Sequence, residues 1–226
     1  MIPPGEDAEF AACMEHVLDT YAKPPDPARP VVCMDEQPLQ LVRETRRPLP
    51  ATRSRPRRVD YEYERAGTAS AFLFCEPLGC WRQATVRERR TKVDWAREVA
   101  ALLEGRYAGC GQVTLVCDNL NTHTRGAFYE AFEPERARAL ALALARRVEF
   151  CHTPKHGSWL NVAESELSCM TRQCLANRRI GDIGMLRAEL EAWADDVNSA
   201  QRGVDWHMGA DDARRKLKSI YPKIKT

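Results

Sequence analysis

Apolar residues occur along this chain in short runs and in helical stripes, and turn residues separate the two kinds of pattern. The run 112–117 is apolar and rich in β-branched residues, and it stops at Asp118 and Asn119, which predicts a fully buried strand. Shorter runs at 31–34 and 147–151 predict two further strands of the same kind. Buried strands that alternate with helical patterns predict an α/β fold.

Helical and alternating patterns predict the remaining elements. Apolar residues at intervals of three and four predict helices, and two apolar segments joined by a Glu-Pro-Leu-Gly turn predict a hairpin. Residues 5–21 are expected to form only a linker helix, because prolines follow it as a stiff connector up to residue 30, and one domain is expected to cover 31–226. The hairpin is expected at 69–86, and the helices are expected at 94–107, at 126–146 with a break at Pro134, at 160–176, at 184–199 and after Asp211 or Asp212.

Basic residues are clustered, although the chain as a whole is almost neutral. Its 226 residues include 34 Lys and Arg against 32 Asp and Glu, so net charge alone does not indicate a nucleic-acid-binding protein. Seven arginines lie between Arg43 and Arg58, in a segment that prolines predict to be an exposed loop, and six cations lie between Arg214 and Lys225. Each cluster is either a solvated segment or a contact for phosphates, and charge does not decide between the two.

The nine cysteines predict a reduced protein. Their number is odd, several lie inside apolar runs, and no Cys-x-x-Cys occurs, which is typical of buried thiols in a cytoplasmic protein. A zinc site built from Cys151, His152, His156, Cys169 and Cys174 would fit no standard ligand spacing. The sequence has no signal-peptide pattern and no apolar run long enough to span a bilayer, so no membrane partner is expected.

Two of the predicted strands end in an acid. Asp35 follows the run 31–34, and Asp118 follows the run 112–117. Ligand sites of α/β sheets lie at the carboxyl ends of the strands, so both acids are candidates for one site. For Asp35 the alternative is a turn-forming acid ahead of Pro38.

A third acid is expected on the buried side of the helix 160–176. At about 100° per residue, Glu164 lies within roughly 40° of the centre of the apolar stripe, whereas Glu166 lies on the far side and is expected to be solvated. A capping box with Asn161 as N-cap is the alternative for Glu164. Three converging acids would instead suit a hard divalent cation such as Mg²⁺, which prefers oxygen ligands.

Three segments around these acids carry a family resemblance. Met34-Asp35-Glu36, Cys117-Asp118-Asn119-Leu120-Asn121-Thr122-His123-Thr124 and the segment 153–164 closely resemble the acidic blocks of the bacterial insertion-sequence-630 transposases, which are related to mariner elements. That family is similar to the wider group of DDE transposases and integrases. The resemblance covers roughly residues 31–220 and implies a ribonuclease-H-like mixed sheet flanked by helices.

The resemblance also implies the chemistry and the residues that perform it. Asp35, Asp118 and Glu164 match the three catalytic acids, which would bind two Mg²⁺ ions, with Mn²⁺ as a substitute, for phosphodiester hydrolysis and strand transfer at transposon ends. Asn119 and His123 match the block around the second acid and are expected to orient its loop, with a helix cap as the alternative for Asn119.

Six further residues are expected to contact DNA. The alternative for Lys155 is a cation of the loop that contacts only water. The alternative for Trp159 is a core aromatic that anchors the start of the helix. The six lie on the loop before the helix 160–176, in the last part of that helix and on the segment that follows it: Lys155, His156, Trp159, Arg172, Arg178 and Arg179.

The implied partner is double-stranded DNA, as transposon ends and as target, bound by a homodimer near the bacterial nucleoid. Family members normally begin with helix-turn-helix domains, whereas this sequence begins with the linker helix, so it is expected to be a catalytic half that relies on a separate recognition chain. Two alternatives remain at this point: another ribonuclease-H-like nuclease, or an inactive transposase-derived protein that binds DNA or assembles with other chains.

Overall fold

One mixed sheet of five strands forms the centre of the protein. The computed structural model describes residue 2 and residues 5–120 and 123–223. The strand order is β3-β2-β1-β4-β5; β2 is antiparallel to both β1 and β3, whereas β1, β4 and β5 are parallel. The predicted mixed α/β sheet is therefore confirmed. The strands are β1 Val31–Glu44, β2 Tyr63–Glu76, β3 Trp81–Arg87, β4 Val113–Cys117 and β5 Val148–His152.

Helices cover both faces of the sheet, close to the predicted positions. A π-helical turn, Thr171–Leu175, continues the helix that follows β5, and single 3₁₀ turns lie at Ser158–Leu160 and Lys218–Ile220. Within the described residues, no helix is long and apolar enough to cross a membrane. The α-helices are α1 Ala8–Tyr21, α2 Lys92–Glu104, α3 Gly126–Ala131, α4 Pro134–Arg147, α5 Val162–Met170, α6 Ile183–Ser199 and α7 Ala210–Lys216.

Side-chain alternation along β1 separates two hydrophobic cores. Cys33 packs with residues of α1, α5 and α6 on one face of the sheet, whereas Met34 packs with residues of α2, α3 and α4 on the other. Successive strand residues point to opposite faces. Asp35 therefore faces α5 and Glu36 faces α2, although the two acids are neighbours in sequence.

The first helix belongs to the core, although the sequence predicts a linker. Met14, Val17 and Leu18 of α1 are fully buried, and burial of each such side chain contributes about 1.5–3 kcal/mol. The Tyr21 hydroxyl donates a hydrogen bond to the backbone oxygen of Leu160, 2.9 Å away. The helix thus packs on the segment that leads into α5. The domain boundary at residue 30 stays a prediction.

The first strand is much longer than the apolar run predicts. The run 31–34 marks only the part that is buried on both faces, between β2 and β4, because such a strand is continuously apolar. Beyond it β1 remains paired with β2 as far as Glu44, and its residues there are half-buried or exposed except for Leu41, which is buried. An antiparallel pair of strands can have one face exposed to solvent, so its sequence need not be a continuous apolar run. The second half of β1 was therefore not predicted.

The cysteines agree with the prediction of buried thiols in part. All nine are free, and four are only partly buried. The five buried thiols belong to Cys33, Cys75, Cys117, Cys151 and Cys174.

Candidate active site

The two aspartates are brought together by the register of two parallel strands. Cys33 of β1 is paired with Val116 of β4. Extended by two residues, this register puts Asp35 of β1 level with Asp118, which directly follows β4, and neighbouring strands are about 4.8 Å apart. The negative charge of Asp118 accordingly contributes to a raised pKa of Asp35.

The third acid is positioned by the cap of α5. The Asn161 side chain accepts a hydrogen bond from the amide of Ala163 (3.1 Å) and donates one to the backbone oxygen of Met34 (2.8 Å). The second bond ties the first turn of α5 to β1 one residue before Asp35. Glu164 lies in this turn and lines, with Asp35, a cavity of about 390 Å³.

The Glu164 carboxylate is not used by the fold. Among the residues that the structure describes, it has no hydrogen bond or ion pair, so the capping box is not formed. Asn161 nevertheless caps the helix as expected. An acid that faces the sheet without a partner is costly unless it binds a cation or stays protonated.

Burial and neighbouring negative charges oppose the ionisation of Asp35, and burial opposes that of Asp118. Burial is the main reason that the pKa of Asp35 is raised to about 7; the Glu36 amide, 2.7 Å from Oδ1, acts in the opposite direction, and the charges of Glu164, Asp118 and Glu36 raise the pKa further. Burial also raises the pKa of Asp118. A cation placed among these carboxylates would remove the repulsion.

The donor set suits a hard divalent cation. Asp35, Asp118 and Glu164 offer only carboxylate oxygens, which Mg²⁺ and Mn²⁺ prefer. As the side chains stand, however, no group of three or more His, Cys, Asp or Glu residues in the described ranges is arranged to hold a metal ion. Without a cation, repulsion between the like charges keeps the carboxylates apart. The oxygen ligands therefore suit the ion, but their present separation is too large to bind it.

His123 lies between two acids. Its Nδ1 is 3.9 Å from Oδ1 of Asp118, and its Nε2 is 3.6 Å from Oε1 of Glu36. The ring stacks on Trp95 with centroids 5.1 Å apart, and both ring nitrogens are buried without a direct hydrogen bond. This position supports the predicted role in orienting Asp118. Asn119 is exposed beside Asp118.

Glu36 is a site residue to which the sequence reasoning assigned no role. Its side chain is only 5% exposed, and it faces His123 from the α2 side of the sheet. The available signal was strand alternation, because the residue next to Asp35 on a strand buried on both faces points into the opposite core. An acid in such a core needs a partner.

A second cavity lies on the other side of Asp118. Its volume is about 700 Å³, and Asn119, Lys155, His156 and the first turn of α1 line it. His152 also lines it, and burial lowers the pKa of this side chain. The predicted DNA contacts Lys155 and His156 are thus exposed beside Asp118, at the carboxyl ends of β4 and β5. This edge of the sheet is called the catalytic edge, because the candidate catalytic acids lie there.

Trp159 lies apart from these loop residues. Its ring is partly buried and packs on the core shared by α1 and α5, and its Nε1 is buried without a hydrogen bond. This position favours the alternative of a core aromatic at the start of the helix.

Comparison with known proteins places this chain in a family. Residues 30–187 match the family described as DDE superfamily endonuclease, over a range that contains Asp35, Asp118 and Glu164. The chain belongs to the DDE superfamily endonucleases. No curated protein matches the sequence.

Solved structures similar to this DDE domain come from the Mos1 mariner transposase. The paired-end complex with Mg is 15% identical and has a TM-score of 0.56, covering 99% of this chain and 66% of the other. The strand transfer complex is 14% identical with a TM-score of 0.55, covering 85% and 56%. The catalytic domain on its own is 14% identical with a TM-score of 0.52, covering 89% and 90%.

These similarities confirm the predicted ribonuclease-H-like fold of the DDE domain. The chain spans 60% of the length of the Mos1 chain in the paired-end complex with Mn.

Of the three predicted arginine contacts of the DDE domain, Arg172 lies at the site. It is exposed and lines the cavity that contains Asp35 and Glu164. Arg178 binds the carboxylate of Glu189, with Nη1 2.7 Å from Oε2. Arg179 binds Glu44 with Nη1 2.6 Å from Oε2. In this structure the last two guanidinium groups hold elements of the fold together, and their contact with DNA stays a prediction.

The prediction that Glu166 is solvated is wrong. Its side chain is 12% exposed and forms a bidentate pair with Arg82, at 3.0 Å from Nε and 2.9 Å from Nη2. Arg82 is 2% exposed and also donates to the backbone oxygen of Arg202, after α6. Because the sheet covers one side of α5 and the residues after α6 cover another, the angle from one apolar stripe does not predict exposure.

Proposed function

We propose that this DDE endonuclease domain is the catalytic domain of a DNA transposase of the insertion-sequence-630 type. It would hydrolyse phosphodiester bonds at the ends of an insertion sequence and join the resulting ends to target DNA. One observation carries the proposal: Asp118 follows β4 level with Asp35 of β1, and Glu164 in the first turn of α5 lines the same cavity as Asp35, without a hydrogen bond or ion pair among the described residues.

The three acids are proposed as ligands of two Mg²⁺ ions, which Mn²⁺ can replace. When bound, such ions lower the pKa of an attacking water or 3′-hydroxyl and stabilise the leaving oxygen. Two of the similar Mos1 structures are described as complexes with Mn and with Mg, which supports the choice of metal. Asn161 fixes the segment beside Asp35 through its hydrogen bond to Met34, and His123, 3.9 Å from Asp118, is proposed to orient that acid.

Duplex DNA is the proposed partner. The similar Mos1 structures are described as paired-end, strand transfer and transpososome complexes, which supports DNA ends and a target as substrates. A homodimer is proposed to bind them. Lys155, His156 and Arg172 are exposed at the catalytic edge, where a DNA strand would approach the acids. Recognition of end sequences is assigned to a helix-turn-helix chain or segment outside these residues, and the setting is the bacterial nucleoid.

The proposal is tested by cleavage of a labelled DNA duplex that carries insertion-sequence ends. Asp118→Asn and Glu164→Gln are each expected to lower Mg²⁺-dependent strand cleavage by at least about 1,000-fold, since each removes a ligand charge. Glu191→Gln is the matched control, because Glu191 is an exposed acid of α6. Thermal unfolding confirms that each variant is folded.

Cleavage that persists in either acid variant would disprove the assignment. Joining of a cleaved end to a second duplex is the result expected of a transposase. Cleavage of RNA in a hybrid without any joining of DNA would instead show another ribonuclease-H-like nuclease.

A further inference from the structure

A long basic hairpin extends the first two strands. Pairing of β1 with β2 ends at Glu44 and Tyr63, and residues 45–62 between them are named the arm. Two isolated antiparallel bridges continue the ribbon toward its tip, so the predicted exposed loop is a hairpin with its own backbone hydrogen bonds. The bridges join Leu49 with Arg58 and Thr52 with Arg55.

The charge of the arm is almost uncompensated. It has six arginines against two acids, Asp60 and Glu62. Arg46 contacts Asp60 at 3.4 Å and Arg57 contacts Glu44 at 3.9 Å, and both arginines are largely exposed, so each pair contributes less than about 1 kcal/mol. In the described parts of the chain, four side chains of the arm have no ion pair or hydrogen bond: Arg47, Arg53, Arg55 and Arg58.

The base of the arm is held firmly. Arg179 donates to the carboxylate of Glu44 and to the backbone oxygens of Asp60 and Glu62, at 2.6, 2.6 and 2.7 Å. Arg43 donates to the backbone oxygen of Gly181 at 3.1 Å. A Cβ at position 181 would lie 2.1 Å from Cγ of Arg43, so this approach requires glycine.

These contacts connect the arm to the catalytic helix. Arg179 and Gly181 follow the π-helical turn that continues α5, the helix that carries Glu164. The backbone amide of Val42 also donates to Ile180, 2.9 Å away. The base of the arm is therefore held by residues that follow the helix carrying the third acid.

The arm projects from the catalytic edge of the sheet. β1 passes Asp35 and continues to Glu44, nine residues further, which at about 3.3 Å per residue is roughly 30 Å. Such a length corresponds to about nine base pairs of duplex DNA at 3.4 Å each. Tyr61, 85% exposed, and Tyr63, 52% exposed, lie at its base.

We propose that the arm binds the phosphate backbone of duplex DNA about one helical turn away from the bond that the acids cleave. The unpaired guanidinium groups match the dense negative charge of the duplex and carry no sequence preference, because phosphates are the same along the molecule. The bound duplex is thereby held against the catalytic edge. This inference rests on the proposed transposase function and extends it to a second contact.

The experiment compares two triple variants of equal net charge. Arg53→Gln/Arg55→Gln/Arg58→Gln removes three cations of the arm. The control removes three exposed cations of α2 and α4 that have no ion pair within the described residues: Arg97→Gln/Arg138→Gln/Arg146→Gln. The dissociation constant for a fluorescent 40-base-pair duplex of arbitrary sequence is measured between 50 and 200 mM KCl, without divalent metal.

The arm variant is expected to bind at least about tenfold more weakly at 100 mM KCl, with a salt slope smaller by about 2 to 3. The control is expected to stay within about twofold of the unaltered chain. An arm variant that binds with the affinity and salt slope of the control overturns the proposal, and so does normal DNA binding combined with a loss of dimer formation.

Cleavage separates this inference from the proposed function. At low salt and at protein concentrations above its dissociation constant, the arm variant is expected to retain Mg²⁺-dependent cleavage. Asp118→Asn is expected to bind the duplex as the unaltered chain does but not to cleave it. Cleavage that survives Asp118→Asn would disprove the proposed function, whereas the binding comparison tests the arm.

Discussion

Two acids of the helix α5, Glu164 and Glu166, have different surroundings. At the catalytic edge, Glu164 stands beside Asp35 without a hydrogen bond or ion pair in the described residues. Two residues along α5, Glu166 is held by two hydrogen bonds from Arg82, whose side chain is 2% exposed.

The difference indicates that the Glu166 carboxylate stabilises the fold, whereas the Glu164 carboxylate is free to bind a cation. Arg82 also joins β3 to Asn198 of α6, since its backbone amide donates to the Asn198 side chain (2.7 Å) and its backbone oxygen accepts from it (2.8 Å). Glu166 is thus part of a compensated internal network. Burial and, to a smaller extent, the neighbouring carboxylates instead raise the pKa of Asp35, as is typical of groups that bind a cation or take part in catalysis.

Loss of the compensated pair is expected to have the largest effect on stability. Arg82→Met leaves the Glu166 carboxylate buried without a partner, so the free energy of unfolding is expected to fall by about 3–5 kcal/mol. Urea denaturation measures it. The control Arg214→Met breaks an exposed pair with Glu15 and is expected to cost less than about 1 kcal/mol. Equal losses in the two variants would contradict the distinction.

An intermediate effect is expected at Glu36, which supports the site from the opposite core. Glu36→Gln keeps the size of the side chain but removes the charge 3.6 Å from His123, so metal affinity and cleavage are expected to fall by about 10- to 100-fold. Calorimetric Mn²⁺ titration separates the loss of affinity from unfolding. Unchanged affinity in a folded variant would show that Glu36 plays no part in holding His123 and Asp118.

The smallest effect is expected from Asp35→Asn in the metal-free chain, and its sign is opposite to that of Arg82→Met. The folded pKa of about 7 lies above the value near 3.9 of an unfolded chain, so the folded state binds more protons between these values. Stability of the unaltered chain therefore falls as pH rises from about 4 to 7 because of this group. Asn has no such loss.

Thermal unfolding at two pH values checks this expectation. Asp35→Asn is expected to raise the melting temperature by about 2–4 °C at pH 8 and to leave it unchanged at pH 4. The rise is smaller than the pKa shift alone implies, because an amide oxygen accepts the hydrogen bond from the Glu36 amide more weakly than a carboxylate does. A lower melting temperature at pH 8 would mean that the Asp35 charge stabilises the fold even without a cation. Added Mg²⁺ is expected to stabilise the unaltered chain more than the variant.

By itself, the sequence determined the α/β class, most helices and the candidate acids. Asp35 and Asp118 could be identified from the sequence because a strand segment buried on both faces is a continuous apolar run, and each acid directly follows such a run. Asp118 does follow the end of β4, whereas β1 continues past Asp35 to Glu44. The buried side of the helix on which Glu164 lies could also be predicted from nearby residues alone. The family resemblance added the acids' common role, and a match over residues 30–187 then showed the DDE superfamily.

Only the tertiary structure decided what depends on contacts between distant segments. Arg82 lies on β3, far from Glu166 in sequence, and nothing near Glu166 indicated that the chain after α6 would cover it. The second half of β1 and the arm could not be predicted from the sequence around them. The second half of β1 is a strand because it forms backbone hydrogen bonds with β2, and such pairing requires no apolar run. Periodicity records which side of an element is buried, but not how many neighbours cover it.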